Sequence, residues 1–257
     1  MKRSLLFIGF LAAALLQAPA QQATNDANPL MRFTSIRTGT ISVPPITGVP
    51  FSATAIVENK QTLPDGTIAV AHNLNLIGRD SRGRTHGEMR RWVPASSKDE
   101  PPLSEVHLYD PQTSVSTVYY PATHVATRRT QIAPRDTSDL PPPAGPQVTV
   151  EDLGRTTMSN IDVNCTRRTV VIPAQANNTG APITVVDQYC YSPDLHVNMM
   201  LLHNDPRTGE QTVVLSNLKR EDPDASFFQV PDDYKIVDLT PPLNVQTQRD
   251  AAKGGRR

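Results

Sequence analysis

The sequence lacks most of the features that would assign it to a familiar class of enzyme or membrane protein. It has one tryptophan, two cysteines and no charge imbalance, with 25 basic and 25 acidic residues. Without a net positive field, nucleic acid is not an expected partner. No nucleophile elbow, phosphate-binding loop, dinucleotide-binding glycine pattern or helical zinc-protease motif is present, so no cofactor is expected. After the first twenty residues no apolar run approaches the roughly 20 residues of a membrane-spanning helix, which predicts no transmembrane segment in the mature chain.

The first twenty residues have the three parts of a secretory signal peptide. Lys2 and Arg3 precede an apolar run over 5–16, and Ala18, Pro19 and Ala20 supply a small-residue cleavage site. A membrane-spanning helix is the alternative, but the apolar run is too short for one. The pattern predicts a signal peptide over 1–20 and an exported protein, located in the periplasm or outside the cell.

The rest of the sequence has the pattern of an all-β protein. Its 24 prolines argue against helices, because a proline inside a helix costs about 3 kcal/mol. Alternating and β-branched runs between proline and glycine turns predict strands. These runs lie at 51–63, 67–77, 85–93, 106–109, 115–120, 124–128, 161–172, 183–191, 196–203, 211–218 and 227–237. The predicted fold is mainly β, an antiparallel meander forming one strongly curved sheet or half-barrel with little helix.

Composition also predicts the domain organisation. The polar stretch over 21–45 has no periodicity and is expected to be a loosely ordered leader. A single β domain is expected over 46–240, with a proline-rich loop over 132–146. That loop is the one plausible domain boundary, but composition and charge are alike on its two sides. The polar, basic tail over 241–257 is expected to be disordered.

The two cysteines are predicted to form a disulfide, as an even cysteine count in an exported protein suggests. A hairpin that is symmetric about Asn177 and Asn178 places Cys165 directly opposite Cys190. The same register places Ile172 opposite Ile183, Val170 opposite Val185, and Arg168 opposite Asp187. Such β-branched and oppositely charged pairs stabilise a sheet. Two free thiols in unrelated places are the alternative.

Histidine is the main candidate for metal binding or acid–base chemistry. The six histidines are His72, His86, His107, His124, His196 and His203. His72 alternates with Ile68, Val70, Leu74 and Leu76, which predicts a core histidine on the apolar face of its strand. His86 is expected on a solvated face, His107 and His124 lie in different strands, and His196 and His203 face opposite sides of one strand. The spacing predicts no metal site and leaves any catalytic residue unknown.

The densest basic cluster consists of Arg79, Arg82, Arg84, Arg90 and Arg91. Asp80 and Glu88 are interleaved with these arginines. The mixture favours a sheet surface with salt bridges over a binding site for an anion.

Several turn motifs resemble those of a known group of proteins. They are Gln61-Thr62-Leu63-Pro64-Asp65-Gly66, Arg79-Asp80-Ser81-Arg82-Gly83-Arg84-Thr85, Tyr191-Ser192-Pro193-Asp194-Leu195, Asp205-Pro206-Arg207-Thr208-Gly209-Glu210 and Phe228-Gln229-Val230-Pro231-Asp232-Asp233-Tyr234. Over about 50–237 the chain resembles a group of uncharacterised exported bacterial proteins, which carries no known activity. The strand order, the Asp110-Pro111 turn and the closing Phe-x-x-Pro pattern are similar to the periplasmic lipoprotein-carrier and lipoprotein-sensor (LolA/RseB-like) half-barrel superfamily. That resemblance implies a curved half-barrel whose concave apolar face holds acyl chains under helices, and it transfers no binding residue.

Three functions are compatible with these patterns. The leading hypothesis is an exported soluble binding module of the cell envelope, with a lipid, lipoprotein acyl chain or envelope polymer on the concave face of the sheet. The second is an envelope hydrolase with a dispersed site, which would be favoured if His72, His107 or His124 met a carboxylate in a cleft. The third is a structural envelope protein without a small-molecule ligand.

Overall fold

A computed structural model of the protein describes residues 41–130, 147–177 and 179–240. Its strands are β1 (Phe51–Thr62), β2 (Ile68–Arg79), β3 (Thr85–Arg90), β4 (Val93–Pro94), β5 (Leu103–Asp110), β6 (Val115–Tyr120), β7 (Val125–Thr130), β8 (Gln147–Met158), β9 (Ile161–Ile172), β10 (Ile183–Ser192), β11 (Val197–Asp205), β12 (Gly209–Lys219) and β13 (Lys235–Asp238). Two helical turns accompany them, α1 (Ala174–Asn177) and a 3-10 turn (Ala225–Phe228). The predicted signal peptide, most of the predicted leader, the proline-rich loop and the tail lie outside the described residues.

All the strands belong to one open sheet. Their order is β13-β7-β6-β5-β3-β2-β1-β12-β11-β10-β9-β8, and β4 pairs with β2 beside this path. The pairing of β13 with β7 is parallel, whereas the remaining pairings are antiparallel. The predicted fold class, mainly β and antiparallel with little helix, is confirmed. In the described part of the chain no helix is long and apolar enough to cross a membrane.

One hydrogen bond of Arg79 demonstrates how strongly the sheet curves. In a flat sheet β2 and β11 would be three strand spacings apart, about 14 Å. The Arg79 side chain in β2 nevertheless donates from Nη2 to the carbonyl oxygen of Leu195, in the turn before β11, at 2.8 Å. Buried side chains of β2 and β9, five positions apart in the strand order, also belong to one cluster on this face. The sheet therefore bends toward the face that carries Arg79, which we call the concave face.

The concave face is filled with apolar side chains near the start of β1. Phe51, Ala53, Ala55 and Val57 alternate along this strand, and each is at most 3% exposed. Residues of β2 and β9 to β12 and of the turn before β11 complete the cluster: Ile77, Ile161, Val163, Cys165, Cys190, Leu195, Val197, Met199, Val213 and Leu215. Full burial of a large apolar side chain contributes about 1.5–3 kcal/mol. This part of the concave face is thus a packed core rather than a groove.

Residues 41–45 pack on that core, in contrast to the loose leader predicted for 21–45. Ile41 is 2% exposed, and Val43 packs against the same cluster. The carbonyl oxygen of Pro44 accepts a hydrogen bond from Nη1 of Arg79 at 2.7 Å. Ile41 and Val43 alternate as in a strand, but two apolar residues after a long polar stretch are too few to predict an ordered segment.

The two faces of β2 are the reverse of the sequence prediction. Ile68 and Leu76 were expected on the core side together with His72, yet they are 63% and 38% exposed. Asn73 and Asn75 instead lie buried on the concave face. Side chains converge on the inside of a curved sheet, so even the polar residues Asn73 and Asn75 are enclosed there.

The predicted hairpin of β9 and β10 is present in the predicted register. Directly opposed pairs are Ile172 with Ile183, Val170 with Val185, Arg168 with Asp187, and Cys165 with Cys190. A disulfide joins the two cysteines, whose Cα atoms are 4.1 Å apart. By the chain-entropy model a bridge closing a loop of this size contributes about 3 kcal/mol.

The edge strand β8 is an element that the sequence analysis did not predict. Its side chains are mostly exposed, including Val148 and Val150, because it lies at one end of the sheet beside β9. A register shift between Asp152 and Gly154 interrupts the pairing. An edge strand with a polar composition gives no clear alternation, which explains why it was missed.

The C-terminal segment (221–240) covers the opposite face of β3. The 3-10 turn, capped by Asp224, stacks the ring of Phe227 on His86 with centroids 3.7 Å apart, and His86 Nδ1–H donates to the Phe227 carbonyl oxygen. A Cβ on Gly78 would come within 2.9 Å of the Phe227 ring. His86 is therefore buried, not solvated as predicted. Burial lowers the pKa of His86, against smaller raising effects of the Phe227 hydrogen bond and of Glu88.

Candidate functional site

A row of polar side chains crosses the concave face beyond the packed core. Its members oppose one another across β1, β12, β11, β10 and β9: Asn59, Gln211, His203, Asp187 and Arg168. In β1 and β12, Val57 and Val213 lie opposite each other in the apolar core, two residues before Asn59 and two residues after Gln211. In β1 and β12 the concave face thus changes from apolar to polar, whereas in β9 and β10 a second apolar cluster of Val170, Ile172, Ile183 and Val185 follows the row. We call the part of the concave face at the polar row in β1, β2, β11 and β12 its polar end.

A cavity of about 240 Å³ lies where this row reaches β1 and β2. We call it the polar cavity, and its lining residues are Asn59, Asn73, Met89, Arg90, Trp92, His203, Thr208, Gly209 and Gln211. Gly209 has a φ of +91°, and a Cβ there would overlap the carbonyl oxygen of Lys60. Glycine is therefore required for β12 to lie this close to β1 at the cavity wall.

Asn73 carries an unpaired polar atom in the wall of the polar cavity. Its side chain is 1% exposed, and its Nδ2 donates to the carbonyl oxygen of Arg90 at 3.2 Å. Its Oδ1 has no hydrogen-bond partner in the part of the chain that the structure describes. Buried polar atoms are almost always paired, and the other unpaired one among the described residues, Nε2 of His86, lines neither this cavity nor the one beneath the C-terminal segment. The Oδ1 of Asn73 is covered by neighbouring atoms, so a hydrogen-bond donor in the cavity reaches it only when the Asn73 side chain turns.

Asp187 and His203 form a buried acid–base pair at the other side of the cavity. Asp187 is 2% exposed and His203 is 8% exposed. Nδ1 of His203 lies 2.6 Å from Oδ1 of Asp187, and Nη1 of Arg168 lies 3.1 Å from Oδ2. Because the carboxylate occupies Nδ1, the other ring nitrogen of His203 is the one left for the cavity. The pair resembles the carboxylate and histidine of a catalytic triad in its connectivity.

The charge of Arg90 is compensated within its own surroundings. Its Nε lies 2.8 Å from Glu88 and its Nη1 lies 2.6 Å from Glu100. Burial lowers the pKa of Arg90, but the hydrogen bond and charge of Glu88 outweigh it, so the pKa is raised. The backbone N–H of Arg90 donates to Asn75 at 2.9 Å. Arg90 therefore stiffens the cavity wall without offering a free positive charge.

Trp92 gives the polar cavity its one large aromatic surface. It was predicted inside a strand over 85–93, but β3 ends at Arg90 and Trp92 lies between β3 and β4. Its side chain is 42% exposed. An indole ring held in a cavity wall and still open to solvent is a common feature of binding sites.

Sequence reasoning missed the meeting of Asp187 and His203. The pairing of Asp187 with Arg168 was predicted, but His203 was considered only with His196. The signal was available in the chain, because a hairpin turning at 193–196 brings residue 203 to within one position of residue 187. The bulge between Cys190 and Tyr191 shifts the register by that one residue, so that His203 and Asp187 lie directly opposite each other.

The structure does not bring the other candidate histidines into the polar cavity. His107 pairs with Glu105 at 2.9 Å and His124 with Asp233 at 2.7 Å, and both pairs lie on the surface. His196 occupies a turn with a φ of +55°. Within residues 41–130, 147–177 and 179–240 no three histidine, cysteine or acidic side chains are grouped as metal ligands.

The arginine cluster predicted as a salt-bridged surface is divided in the structure. Arg84 pairs with Asp80 at 2.7 Å, as expected. Arg79, however, is 0% exposed, and it donates to three backbone carbonyl oxygens, those of Pro44, Val49 and Leu195. The prediction failed for Arg79 because the curvature of the sheet, which carries it inside, is not visible in local spacing.

A second cavity, of about 320 Å³, lies beneath the C-terminal segment. We call it the outer cavity. Its apolar lining includes Leu108, Val115, Phe228 and Val230, and Arg84 and Arg128 also contribute to its wall. It lies on the face of the sheet opposite the polar cavity.

The sequence matches no protein-family model and no curated protein. Among solved structures, the chain is similar to an uncharacterized conserved protein of Thermus thermophilus, with a TM-score of 0.38, 11% identity and coverage of 74% of this chain and 90% of that one. It is also similar to a chain of the Pseudomonas aeruginosa MucA/MucB complex, with a TM-score of 0.40, 9% identity and coverage of 74% and 58%. The lipoprotein LppX of Mycobacterium tuberculosis gives a TM-score of 0.28, 10% identity and coverage of 69% and 90%. These similarities are too remote for any statement about the ligand, which has to come from the site itself.

Proposed function

We propose that the protein is an exported binding module of the cell envelope whose ligand occupies the polar cavity. The observation that carries the proposal is a cavity lined by Asn73, whose buried Oδ1 has no partner among the described residues, together with the half-exposed Trp92. The disulfide between Cys165 and Cys190 supports an exported protein, because disulfides persist in oxidising compartments.

The energetic argument rests on the difference between Asn73 and its neighbours. An unpaired buried acceptor costs about 1–3 kcal/mol. The adjacent Asn75 avoids this cost by accepting the N–H of Arg90, whereas Asn73 does not. A ligand that donates a hydrogen bond to Asn73 would recover that free energy on binding, so the site favours a ligand with hydroxyl or amine groups.

A lipid or acyl ligand on the concave face was the expectation from the sequence. The apolar part of that face is filled by its own side chains, and the outer cavity offers another place for an acyl group. Its lining by Leu108, Val115, Phe228 and Val230 favours such a ligand. The acyl proposal and the polar-cavity proposal therefore concern opposite faces of the sheet and can be separated by mutation.

An envelope hydrolase is the second candidate function, and the pair of Asp187 and His203 favours it. The orientation of His203 by a buried carboxylate would suit a general base acting on water beside a bound substrate. Hydrolysis that is abolished in His203→Gln, while ligand binding persists, would support this candidate. A ligand that is bound and released unchanged by the wild-type protein would contradict it.

The test of the proposed function is capture of a ligand from the envelope. Wild-type protein, Asn73→Leu and Phe228→Ala would each be purified from envelope extract and analysed by native mass spectrometry. A bound small molecule that is lost only in Asn73→Leu supports the polar cavity. A molecule lost only in Phe228→Ala assigns binding to the outer cavity, and absence of any bound molecule, with no thermal stabilisation by envelope fractions, contradicts a binding function.

A further inference from the structure

We infer that the polar cavity recognises a single sugar ring of an uncharged saccharide, with the ring against Trp92 and its hydroxyls on the amide side chains. The inference rests on the proposed function, because it names the chemistry of the ligand for the same site. It uses three properties of the lining: its aromatic surface, its hydrogen-bonding groups and its charge.

The aromatic surface is Trp92, which is the protein's one tryptophan and is 42% exposed in the cavity wall. An indole ring offers a flat apolar surface with an electron-rich face. A pyranose ring has a matching surface, since its axial C–H bonds form an apolar patch while its hydroxyls project around the edge.

The hydrogen-bonding groups around the ring are amides rather than charged side chains. Asn59, Asn73 and Gln211 line the cavity, and each amide carries both donors and an acceptor. A hydroxyl group also donates and accepts, so neighbouring hydroxyls of one sugar ring can bridge these amides. The unpaired Oδ1 of Asn73 requires a donor, which a hydroxyl supplies and a carboxylate or phosphate oxygen does not.

The charge of the lining excludes an anionic ligand as the preferred one. Arg90 is the arginine in the wall, and both Glu88 and Glu100 compensate it. His203 is similarly engaged by Asp187. A lipid chain is also disfavoured, because the apolar lining consists of little more than Met89 and Trp92.

The size of the cavity limits how much of a saccharide can enter. Its volume is about 240 Å³, below the roughly 300–1,000 Å³ typical of sites for drug-sized ligands. One ring fits such a space, so a terminal residue of a longer glycan would enter and the rest of the glycan would remain outside.

The experiment uses the fluorescence of Trp92, which reports on this cavity alone because the chain has no other tryptophan. The full mature protein would be titrated with glucose, N-acetylglucosamine and maltose, and separately with dodecanoate and inorganic phosphate. We expect a saturable change in Trp92 emission with at least one saccharide and none with dodecanoate or phosphate. Asn73→Leu should weaken that saccharide at least tenfold.

Two further variants complete the design. Trp92→Ala removes the fluorophore, so its saccharide affinity would be measured by calorimetry, and a loss of at least tenfold is expected. Asn198→Leu is the matched control, since Asn198 lies in β11 outside the cavity lining, and it should bind as the wild type does. Saccharide binding that survives both Asn73→Leu and Trp92→Ala would overturn the inference.

The outcomes also separate the inference from the proposed function. If Trp92 emission responds to dodecanoate, phosphate or the small-molecule fraction of an envelope extract while no saccharide acts, the sugar assignment is wrong and the binding function stands. If Trp92 responds to none of these, both are wrong.

Discussion

Arg79 and Asn73 lie on the same strand and the same concave face, yet their surroundings differ in kind. Arg79 is buried with three carbonyl partners, whereas Asn73 is buried with an unpaired acceptor. Arg79 fastens residues 44–49 and the turn before β11 to β2, and Asn73 lines the polar cavity. One end of the concave face thus has its buried polar groups paired, whereas the other end contains a buried acceptor without a partner among the described residues.

The largest expected effect on stability comes from removing the charged side chain of Arg79. Arg79→Leu leaves three buried carbonyl oxygens without their donor, and each unpaired group costs about 1–3 kcal/mol. We expect a loss of about 3 kcal/mol or more in the free energy of unfolding, measured by urea denaturation. Arg155→Met, which removes one exposed hydrogen bond to Asn164, is the control and should change stability by less than about 1 kcal/mol. Equal effects of the two variants would show that Arg79 is not a fastening point.

A smaller effect should distinguish the two asparagines of β2. Asn75→Leu removes the acceptor of the Arg90 N–H, and about 1–3 kcal/mol of stability should be lost. Asn73→Leu removes both the unpaired Oδ1 and the Nδ2 donor to the Arg90 carbonyl oxygen. The relief of the first offsets the loss of the second, so stability should stay within about 1 kcal/mol of the wild type. Thermal and urea denaturation of both variants would measure the difference. If Asn73→Leu loses as much stability as Asn75→Leu, the two asparagines contribute equally to folding and the expected difference between them is wrong.

The smallest effect concerns the opposite face, where His86 holds the C-terminal segment. The pKa of buried His86 is lowered in the folded protein, so the unfolded chain binds more protons just below the ordinary histidine pKa of about 6.5. Stability should therefore fall as the pH decreases from about 6.5 toward the lower folded pKa. His86→Gln should show less of this dependence in denaturation curves measured between pH 7 and pH 5. A dependence that is unchanged in His86→Gln would assign it to other groups.

The alternation of residues along the chain predicted the pairing within a hairpin, but it did not predict features that depend on the curvature of the whole sheet. The hairpin of β9 and β10 could be paired from the sequence alone because β-branched residues, a charge pair and two cysteines satisfy one register. The face of β2 that is buried could not, since Asn73 and Asn75 are polar and their burial follows from the curvature of the whole sheet. For the same reason the candidate site escaped prediction. Asn59, Asn73 and His203 come together only through the pairing of β1 with β12, which no local spacing reveals.

That pairing also constrains the order in which the molecule can assemble. Val57 in β1 lies opposite Val213 in β12, so the two strands of this central pair are far apart in the sequence. In a chain that folds as it emerges after export, N-terminus first, one edge of β1 has no partner until β12 has followed. Contacts of such long sequence separation slow folding, and an unpaired edge in the meantime is open to association with other chains. We therefore expect the concave face, and with it the polar cavity, to be completed late in folding.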